Sequence, residues 1–291
     1  MRPRAETDAA EATTGTPLLV VDGDSFAHRA FHALPRSIRR ADGSPGNLLT
    51  GLVSMLLRLW EAERPRAVFV GWDTLFVPTY RHEQLPGYQA GREFDPELLE
   101  QLDLAPDLLA TTGIVCAKAA GYEADDFLAA AVASERARGG TSLVATSDRD
   151  AFQLAADDVT ILQPVRGVSE LARIGPPEVR ERYGVEPEQV PDFIALRGDP
   201  SDRIPGARGV GAKTAASLLV QHGTLDALLE AGRFSQEAEA LRTFRHVATL
   251  DPTAPIPELP DVQPDWRAGA AAADALGLGR LAGRLEEAAS S

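Results

Sequence analysis

The feature that most constrains this chain is a repeated alternation of short, continuous apolar runs with longer helical patterns. Five such runs cover residues 18–21, 67–70, 114–116, 143–146 and 159–162. Runs of this length without polar alternation are typical of strands buried on both faces, as in a parallel sheet. Amphipathic stretches between them, such as 48–61 and 125–138, supply crossover helices. The pattern predicts an α/β fold with a parallel sheet flanked by helices.

Net charge and cysteine content bear on the partners and on the cellular compartment. The chain carries 29 Lys and Arg against 43 Asp and Glu, a formal charge of −14, which by itself argues against a nucleic-acid partner. The single cysteine, Cys116, excludes an intramolecular disulfide and fits the reducing cytoplasm. Residues 1–16 lack the hydrophobic core of a signal peptide. The sequence contains no run of about 18 apolar residues, the length that a membrane-spanning helix needs. We therefore expect a disordered tail over 1–16, a cytoplasmic protein and no membrane partner.

Carboxylates stand where the predicted strands end. Asp22, Asp73 and Asp148 each follow an apolar run, and active sites of parallel sheets lie beyond the carboxyl ends of the strands. Further acidic residues cluster in three short segments, 123–126, 148–150 and 199–202. Each segment taken alone is better explained as a helix start or a solvated turn than as a ligand site.

Convergence of these carboxylates on one edge of the sheet is harder to explain without a ligand. Like charges share a site only if cations neutralise them or their pKa values rise. Oxygen ligands without His or Cys favour Mg²⁺ or Mn²⁺. Two such ions can bind the attacking and the leaving oxygen when a phosphodiester is cleaved. Assigning nine carboxylates to metal ions changes the charge of the remainder from −14 to −5, which weakens the objection to a nucleic-acid partner.

A glycine-rich turn precedes the apolar helix that ends near Val220. The turn, Gly209-Val210-Gly211, opens this helix, whose first amides could hold a phosphate with help from Lys213. It is not a nucleotide P-loop, because Ala212 separates the glycine from the lysine. A tight helix–helix turn explains the pattern equally well, and the segment resembles a helix-hairpin-helix that grips a duplex backbone.

Five motifs then occur in a fixed order along the chain. They are Val20-Val21-Asp22-Gly23, Arg29-Ala30-Phe31-His32-Ala33, Gly121-Tyr122-Glu123-Ala124-Asp125-Asp126, Thr146-Ser147-Asp148-Arg149-Asp150, and Gly198-Asp199-Pro200-Ser201-Asp202 followed by Ile204-Pro205-Gly206. With these motifs, the chain from about Leu18 onwards resembles the 5′→3′ exonuclease/flap endonuclease family, which includes the N-terminal nuclease domain of bacterial DNA polymerase I.

The resemblance implies a domain plan. A PIN-like nuclease domain would cover 17–175, with a helical arch at about 74–112. A helix-hairpin-helix (H3TH) DNA-binding region would cover 176–250. For 251–291 the residues themselves indicate a Pro-rich strap, with five prolines within 251–265, and an Ala- and Leu-rich C-terminal helix over 268–289. The remaining length leaves no room for a polymerase domain, so we expect a free-standing nuclease.

The resemblance also implies roles for individual residues. One metal cluster would comprise Asp22, Asp73, Glu123 and Asp125, and a second would comprise Asp126, Asp148, Asp150, Asp199 and Asp202. The catalytic side chains would be Arg29, Arg81, Tyr88 and Arg92. Contacts to duplex DNA would come from Arg203, Arg208, Gly209, Gly211, Lys213 and Thr214. The sequence departs from the family at one arch position, where Gln89 stands in place of a lysine.

A member of this family would hydrolyse DNA near a junction between duplex and single strand and leave a 5′-phosphate. We expect two or more Mg²⁺ ions, with Mn²⁺ as a substitute, and K⁺ at the helix-hairpin-helix. Expected partners are DNA with a 5′ flap or a 5′ end at a junction, RNA-primed ends, and, functionally, a DNA polymerase and a ligase. A monomer is the default expectation.

Two alternatives remain open at the sequence level. Gln89 could leave a junction-binding protein that cleaves slowly or not at all, unless a neighbouring arginine (Arg81, Arg92 or Arg203) supplies the missing charge. Asp22-Gly23-Asp24-Ser25 also mimics the nucleophile motif of aspartyl-phosphate phosphatases, which would make Asp24 essential. The phosphatase hypothesis leaves the acidic segment 123–126 and the glycine turn unexplained.

Overall fold

A computed structural model of the protein describes residues 15–166 and 170–290. The expected tail over 1–16 lies outside these ranges except for its last two residues. Across the described ranges, no helix is both long and apolar enough to cross a membrane.

A six-stranded sheet forms the centre of the fold, in the order β3-β2-β1-β4-β5-β6. Five strands run parallel, and β6 pairs antiparallel with β5 at the edge. The strands are β1 (Leu18–Asp22), β2 (Ala67–Gly71), β3 (Val115–Ala117), β4 (Ser142–Ala145), β5 (Val159–Arg166) and β6 (Glu170–Ile174). The α/β prediction is confirmed, and the five apolar runs form the five parallel strands. Strand β6 was not expected from the sequence, because its segment Glu170-Leu171-Ala172-Arg173-Ile174 is short and partly polar.

Helices cover both faces of this sheet and continue beyond it. Those preceding β6 are α1 (Gly23–Ala33), α2 (Asn47–Glu63), α3 (Tyr80–Gln84), α4 (Pro96–Ala110) and α5 (Ala124–Ala137). Those following it are α6 (Pro176–Tyr183), α7 (Val190–Arg197), α8 (Ala212–His222), α9 (Leu225–Glu230), α10 (Ala238–Ala248), α11 (Trp266–Ala275) and α12 (Gly279–Ala289). Short 3₁₀ turns span Asp150–Leu154 and Pro187–Gln189.

Each sheet strand contributes to two cores because successive side chains point to opposite faces. Leu18 and Val20 pack in one core with α5 and with α6 to α10, whereas Leu19 and Val21 pack in the other with α1, α2, α4, α11 and α12. Burying β1 on both faces explains why its sequence shows no alternation. The sheet is therefore held rigidly, and its carboxyl edge provides a fixed platform for the polar residues that follow the strands.

The C-terminal part differs from the sequence prediction in one respect. A single helix was expected over 268–289, but the structure has two, α11 and α12, packed against each other. Gly277 lies between them with φ of +76°, a left-handed conformation that glycine adopts without steric cost. A Cβ atom at Gly277 would lie 2.6 Å from the backbone nitrogen of Ala41, so the close approach also requires glycine.

Candidate metal centre and nucleic-acid interface

Carboxylates from four segments meet in one cleft at the carboxyl edge of the sheet. This carboxylate cleft is lined by Asp22, Asp24, Asp73, Glu123, Asp125 and Asp148. Asp22 ends β1, Asp73 follows β2, Asp148 follows β4, and Glu123 is the N-cap of α5. The structure thus brings together five of the nine predicted ligands, and it adds Asp24, which the sequence analysis considered only in the phosphatase alternative.

Hydrogen bonds fix the strand-end carboxylates in place. Asp22 accepts from the amide of Ser25 (2.9 Å), which caps α1, and from the Thr146 hydroxyl (2.7 Å). Asp73 accepts from the amide of Ala124 (2.6 Å), and its own amide donates to Asp24 (2.7 Å). Each of these two carboxylates is therefore oriented by backbone amides as well as by the strand it follows.

Asp125 is the least satisfied carboxylate of the cleft. Its Oδ1 atom is buried and has no hydrogen-bond partner in the structure. Burial, reinforced by repulsion from Asp148 and Asp22, raises the pKa of Asp125 well above its usual value. A buried anionic oxygen without a partner is costly, so this position favours a cation.

Burial perturbs the other cleft carboxylates in the same direction. It raises the pKa of Asp22 to about 7, and it raises the pKa values of Asp73, Glu123 and Asp148 above their usual range. Uncompensated negative charge in the cleft is therefore unfavourable, and a divalent cation would relieve it.

A second group of carboxylates adjoins the cleft. Asp148 accepts from the amide of Asp150 (2.8 Å), and Asp199 accepts from Arg197 (3.1 Å). Repulsion from Asp148 adds to burial in raising the pKa of Asp150 far above its usual value and that of Asp202 to about 6. Asp148, Asp150, Asp199 and Asp202 are thus close enough to influence one another electrostatically.

Asp126 does not join this second group. It is completely buried, and both of its oxygens accept hydrogen bonds from Arg81, each at 2.7 Å. Arg81 is also buried, at 2% exposure, and donates through Nε to the carbonyl of Val247 (3.0 Å). In this structure both Asp126 oxygens are therefore bound by Arg81, and the buried Arg81 does not line the carboxylate cleft.

The arch position occupied by Gln89 lies at the rim of the cleft. Its amide nitrogen donates to the Tyr88 hydroxyl (2.9 Å) and to Asp202 (3.1 Å). Tyr88 is buried, and its hydroxyl donates to Glu123 (2.9 Å). Arg92 is half-exposed, lines the cleft and pairs with Asp202 at 3.1 Å. Of the arginines considered as substitutes for the family lysine, Arg92 lines the cleft and Arg81 does not.

Arg29 lies on α1 beside the cleft. It donates to the hydroxyl of Ser147 (3.0 Å), a residue that lines the cleft, and its Nε atom is buried without a partner. The backbone hydrogen bond from Asp73 to Asp24 gives Asp24 a supporting role that the motif comparison missed, although its spacing of two residues from Asp22 was visible in the sequence.

The glycine turn presents its predicted DNA contacts on the surface. Gly209 adopts a φ of +75°, and Gly211 is the N-cap of α8. The side chains of Lys213 and Thr214 are exposed in the first turn of that helix, and Arg208 and Arg203 are exposed before it. The arrangement agrees with a helix whose first amides and basic neighbours face a phosphate backbone.

The donor set fits a hard divalent cation, although the side chains are not yet arranged around one. Within residues 15–166 and 170–290, no three Asp, Glu, His or Cys side chains are grouped tightly enough to form a ready-made metal site. The cleft nevertheless offers carboxylate oxygens from several segments, including the partnerless Oδ1 of Asp125. All-oxygen donors of this kind suit Mg²⁺ or Mn²⁺ better than softer metals.

Comparisons with known proteins cover nearly the whole described chain. Residues 17–184 match the family model described as 5′-3′ exonuclease, N-terminal resolvase-like domain, and residues 185–265 match 5′-3′ exonuclease, C-terminal SAM fold. A 5′-3′ exonuclease of Mycobacterium tuberculosis is 37% identical over 250 residues, which cover 78% of each chain. DNA polymerase I of Mycobacterium leprae is 42% identical over 248 residues, 84% of this chain but 27% of the polymerase. The chain thus spans about a quarter of the polymerase relatives it matches.

A crystal structure of the bacteriophage T5 flap endonuclease in complex with DNA and metal ions has the same fold, with a TM-score of 0.65. The match covers 94% of this chain and all of the T5 chain, at 21% sequence identity. That likeness supports the PIN-like sheet followed by a SAM-like helical region. The two adjacent family-model matches, together with the mycobacterial exonuclease, show that this chain belongs to the 5′-3′ exonuclease family.

Proposed function

We propose that the chain is a metal-dependent 5′→3′ exonuclease and structure-specific 5′ flap endonuclease that hydrolyses DNA phosphodiesters near junctions and leaves a 5′-phosphate. The observation that carries this proposal is the cleft in which Asp22, Asp73, Glu123, Asp125 and Asp148 converge. Family membership makes nucleic acid the expected substrate of such a cleft.

The chain's own residues divide the work between holding cations and holding the strand. Asp22, Asp73, Glu123 and Asp125 would hold one divalent cation, and Asp148, Asp150, Asp199 and Asp202 a second. Bound there, Mg²⁺ would activate water and neutralise charge on the phosphate. Asp126 is left out of both sets because Arg81 occupies it.

Positive charge for the phosphate would come from Arg92, which lines the cleft, and from Arg29, which donates to the cleft residue Ser147. Gln89 contributes an uncharged amide at the rim, so the charge of Arg92 takes on the part that the family assigns to a lysine. Arg203, exposed and next to Gly91, would extend this basic edge toward the duplex.

The helical region would grip the duplex away from the cleft. Residues 176–250 carry the glycine turn, where Arg208, Gly209, Gly211, Lys213 and Thr214 would contact one strand through backbone amides and side chains. We further propose K⁺ at the carbonyls of this turn, Mn²⁺ as a working substitute for Mg²⁺, and RNA-primed 5′ ends among the substrates. A cytoplasmic monomer acting alongside a DNA polymerase and a ligase completes the proposal.

Cleavage of a 5′-end-labelled flap duplex in Mg²⁺ tests the proposal directly. We expect the wild type to cut at the junction and Asp125→Asn to be inactive, because the amide removes the charge of the partnerless oxygen. Asp274→Asn, an exposed aspartate on α11, is the matched control and should cut like the wild type. Tight flap binding without cutting in either Mg²⁺ or Mn²⁺ would instead support the junction-binding alternative.

A phosphatase makes the opposite prediction for Asp24. Asp24→Asn removes a nucleophile but keeps an acceptor oxygen for the Asp73 amide. A phosphatase would lose all activity on a phosphomonoester such as p-nitrophenyl phosphate. The nuclease proposed here should show no such activity in the wild type and should retain most of its flap cleavage in the variant.

A further inference from the structure

The loop that follows β2 presents a phenylalanine to solvent next to the carboxylate cleft. Phe76, three residues after Asp73, is 77% exposed, the highest value among the large apolar side chains of the described residues. Single exposed apolar side chains are common and by themselves need no function. What distinguishes Phe76 is its backbone conformation and its neighbours.

The backbone of Phe76 is strained. Its φ is +63°, in the left-handed region that bulky residues rarely adopt. Strain of this kind persists only where the surroundings enforce it, and it concentrates at functional sites. Here the conformation holds the ring out of the protein interior instead of burying it.

Two further rings connect Phe76 to the cleft. The Phe76 ring meets Phe94 edge-to-face, with centroids 6.0 Å apart, and Phe94 lies 5.8 Å from the ring of His28. We call these three rings the aromatic row. Phe94 and His28 line the carboxylate cleft, and Phe76 lines the pocket beside it, which shares Asp73 and Glu123 with the cleft. The exposed ring therefore stands at the entrance to the proposed metal centre.

The surroundings indicate which ligand this ring would take. Asp73, Glu123 and Arg92 lie around the same pockets, and such charges are unsuited to a lipid surface. One ring also offers far less area than the roughly 800 Å² per partner that a stable protein interface buries. An aromatic face beside an arginine is instead the arrangement that binds an unpaired nucleobase by stacking while a cation holds its phosphate.

We propose that Phe76, supported from behind by Phe94, stacks on an unpaired nucleobase of the strand whose phosphodiester enters the carboxylate cleft. The inference rests on the proposed function, because it needs a nucleic-acid strand in the cleft. Stacking tolerates any base, so the subsite would position the strand without reading its sequence. Phe76 would thereby contribute to substrate binding, and the chemistry would remain with the carboxylates.

Removing the ring and removing the base should have the same effect. Phe76→Asn loses the ring and keeps a residue that tolerates the left-handed backbone, whereas Phe76→Trp keeps an aromatic face. The base is removed in a series of flap substrates, each of which carries one abasic site at a different nucleotide flanking the scissile phosphate. With an intact substrate, Phe76→Asn should raise KM about 5- to 150-fold with kcat within about twofold, as expected for loss of one base–aromatic contact.

The coupling between the two changes identifies the contact. At one abasic position the KM of the wild type should rise by the same factor as the KM of Phe76→Asn rises with the intact substrate. The KM of Phe76→Asn should not rise further at that position, and Phe76→Trp should behave like the wild type. The control is Val262→Ala, which changes an exposed apolar residue in the strap, and its KM values should match those of the wild type for every substrate. Equal sensitivity of the wild type and Phe76→Asn to every abasic position would overturn the inference.

Binding measurements distinguish a failure of the proposed function from a failure of the stacking inference. Dissociation constants measured with the same substrates in Ca²⁺, using 2-aminopurine at the flanking positions as the probe, do not require cleavage. If the wild type binds without cutting, the nuclease proposal fails while the stacking inference stands or falls on the coupling of these constants. If it cuts and no coupling is seen, the inference alone fails.

Discussion

The buried pair of Arg81 and Asp126 offers a sharp test of how the arch is joined to the sheet domain. Asp126 belongs to α5, Arg81 belongs to α3, and Arg81 also reaches the carbonyl of Val247 on α10. Asp126 accepts in addition from the amide of Asp251 at the start of the strap (2.9 Å). One carboxylate therefore connects four parts of the chain.

Replacing Asp126 with Asn removes the two-point partner of the buried Arg81 guanidinium and leaves only the longer contact with Glu123, at 3.7 Å, as a counter-charge. Breaking a buried ion pair by removing one partner costs about 3–5 kcal/mol. The Asn oxygen can keep one of the hydrogen bonds, so we expect about 3 kcal/mol, a large part of the roughly 5–15 kcal/mol that stabilises a folded protein. The double variant Arg81→Met/Asp126→Leu should recover most of this loss, because it buries no charge.

Urea unfolding followed by circular dichroism measures the change, and the chain supplies a matched control. Arg136 and Asp158 form a similar two-point pair, with hydrogen bonds of 2.7 and 2.8 Å, but both side chains are partly exposed. Asp158→Asn should therefore cost at most about 1 kcal/mol. If Asp126→Asn leaves stability unchanged and instead weakens Mg²⁺ binding, the assignment of Asp126 to Arg81 is wrong, and Asp126 belongs with the metal ligands.

Three further predictions concern the cleft and the helical region. Burial raises the pKa of Asp22 to about 7 and that of Asp202 to about 6 in the folded state, so above pH 4 the folded protein binds more protons than the unfolded chain. The free energy of unfolding, measured with urea in EDTA, should therefore fall between pH 5 and pH 8. Adding Mg²⁺ should increase the free energy of unfolding more at pH 8 than at pH 5. Gln89→Lys should leave kcat for flap cleavage within about twofold of the wild type, because Arg92 already places a cation beside Asp202; a rise of about tenfold would show that Arg92 does not replace the family lysine. Gly206→Ala should lower the melting temperature far more than Gly209→Ala: both have φ near +75°, but only at Gly206 would the Cβ meet backbone, 2.5 Å from the nitrogen of Gly198.

Much of the fold followed from the sequence because burial on both faces leaves a strong local pattern. The run at 18–21 is apolar throughout since both cores use it, and the four other runs share this property. The edge strand β6 has no such pattern, because one of its sides is unpaired and its residues are partly exposed. The break between α11 and α12 depends on the contact of Gly277 with Ala41, which is far away in the sequence.

The site was predictable as a group of residues but not in the orientation of each one. Strand ends fixed Asp22, Asp73 and Asp148 at one edge, because parallel strands bring their carboxyl ends together. The burial of Arg81 and Tyr88 depends on how α3 packs against α5 and α10, which no local pattern records. Phe76 gave no signal, since a phenylalanine in a sequence is ordinarily assigned to the core.

The different directions of the Asp125 and Asp126 side chains follow from the geometry of an α-helix. Both lie in the first turn of α5, and consecutive residues on an α-helix point about 100° apart. When one of them faces the cleft, the other must face elsewhere, and the structure shows Asp125 in the cleft and Asp126 with Arg81. The two Asp→Asn variants should therefore separate: Asp125→Asn removes Mg²⁺-dependent cleavage while relieving a buried repulsion, and Asp126→Asn destabilises the fold. Similar losses of stability in both variants would contradict this division, because only one of the two carboxylates balances a buried cation.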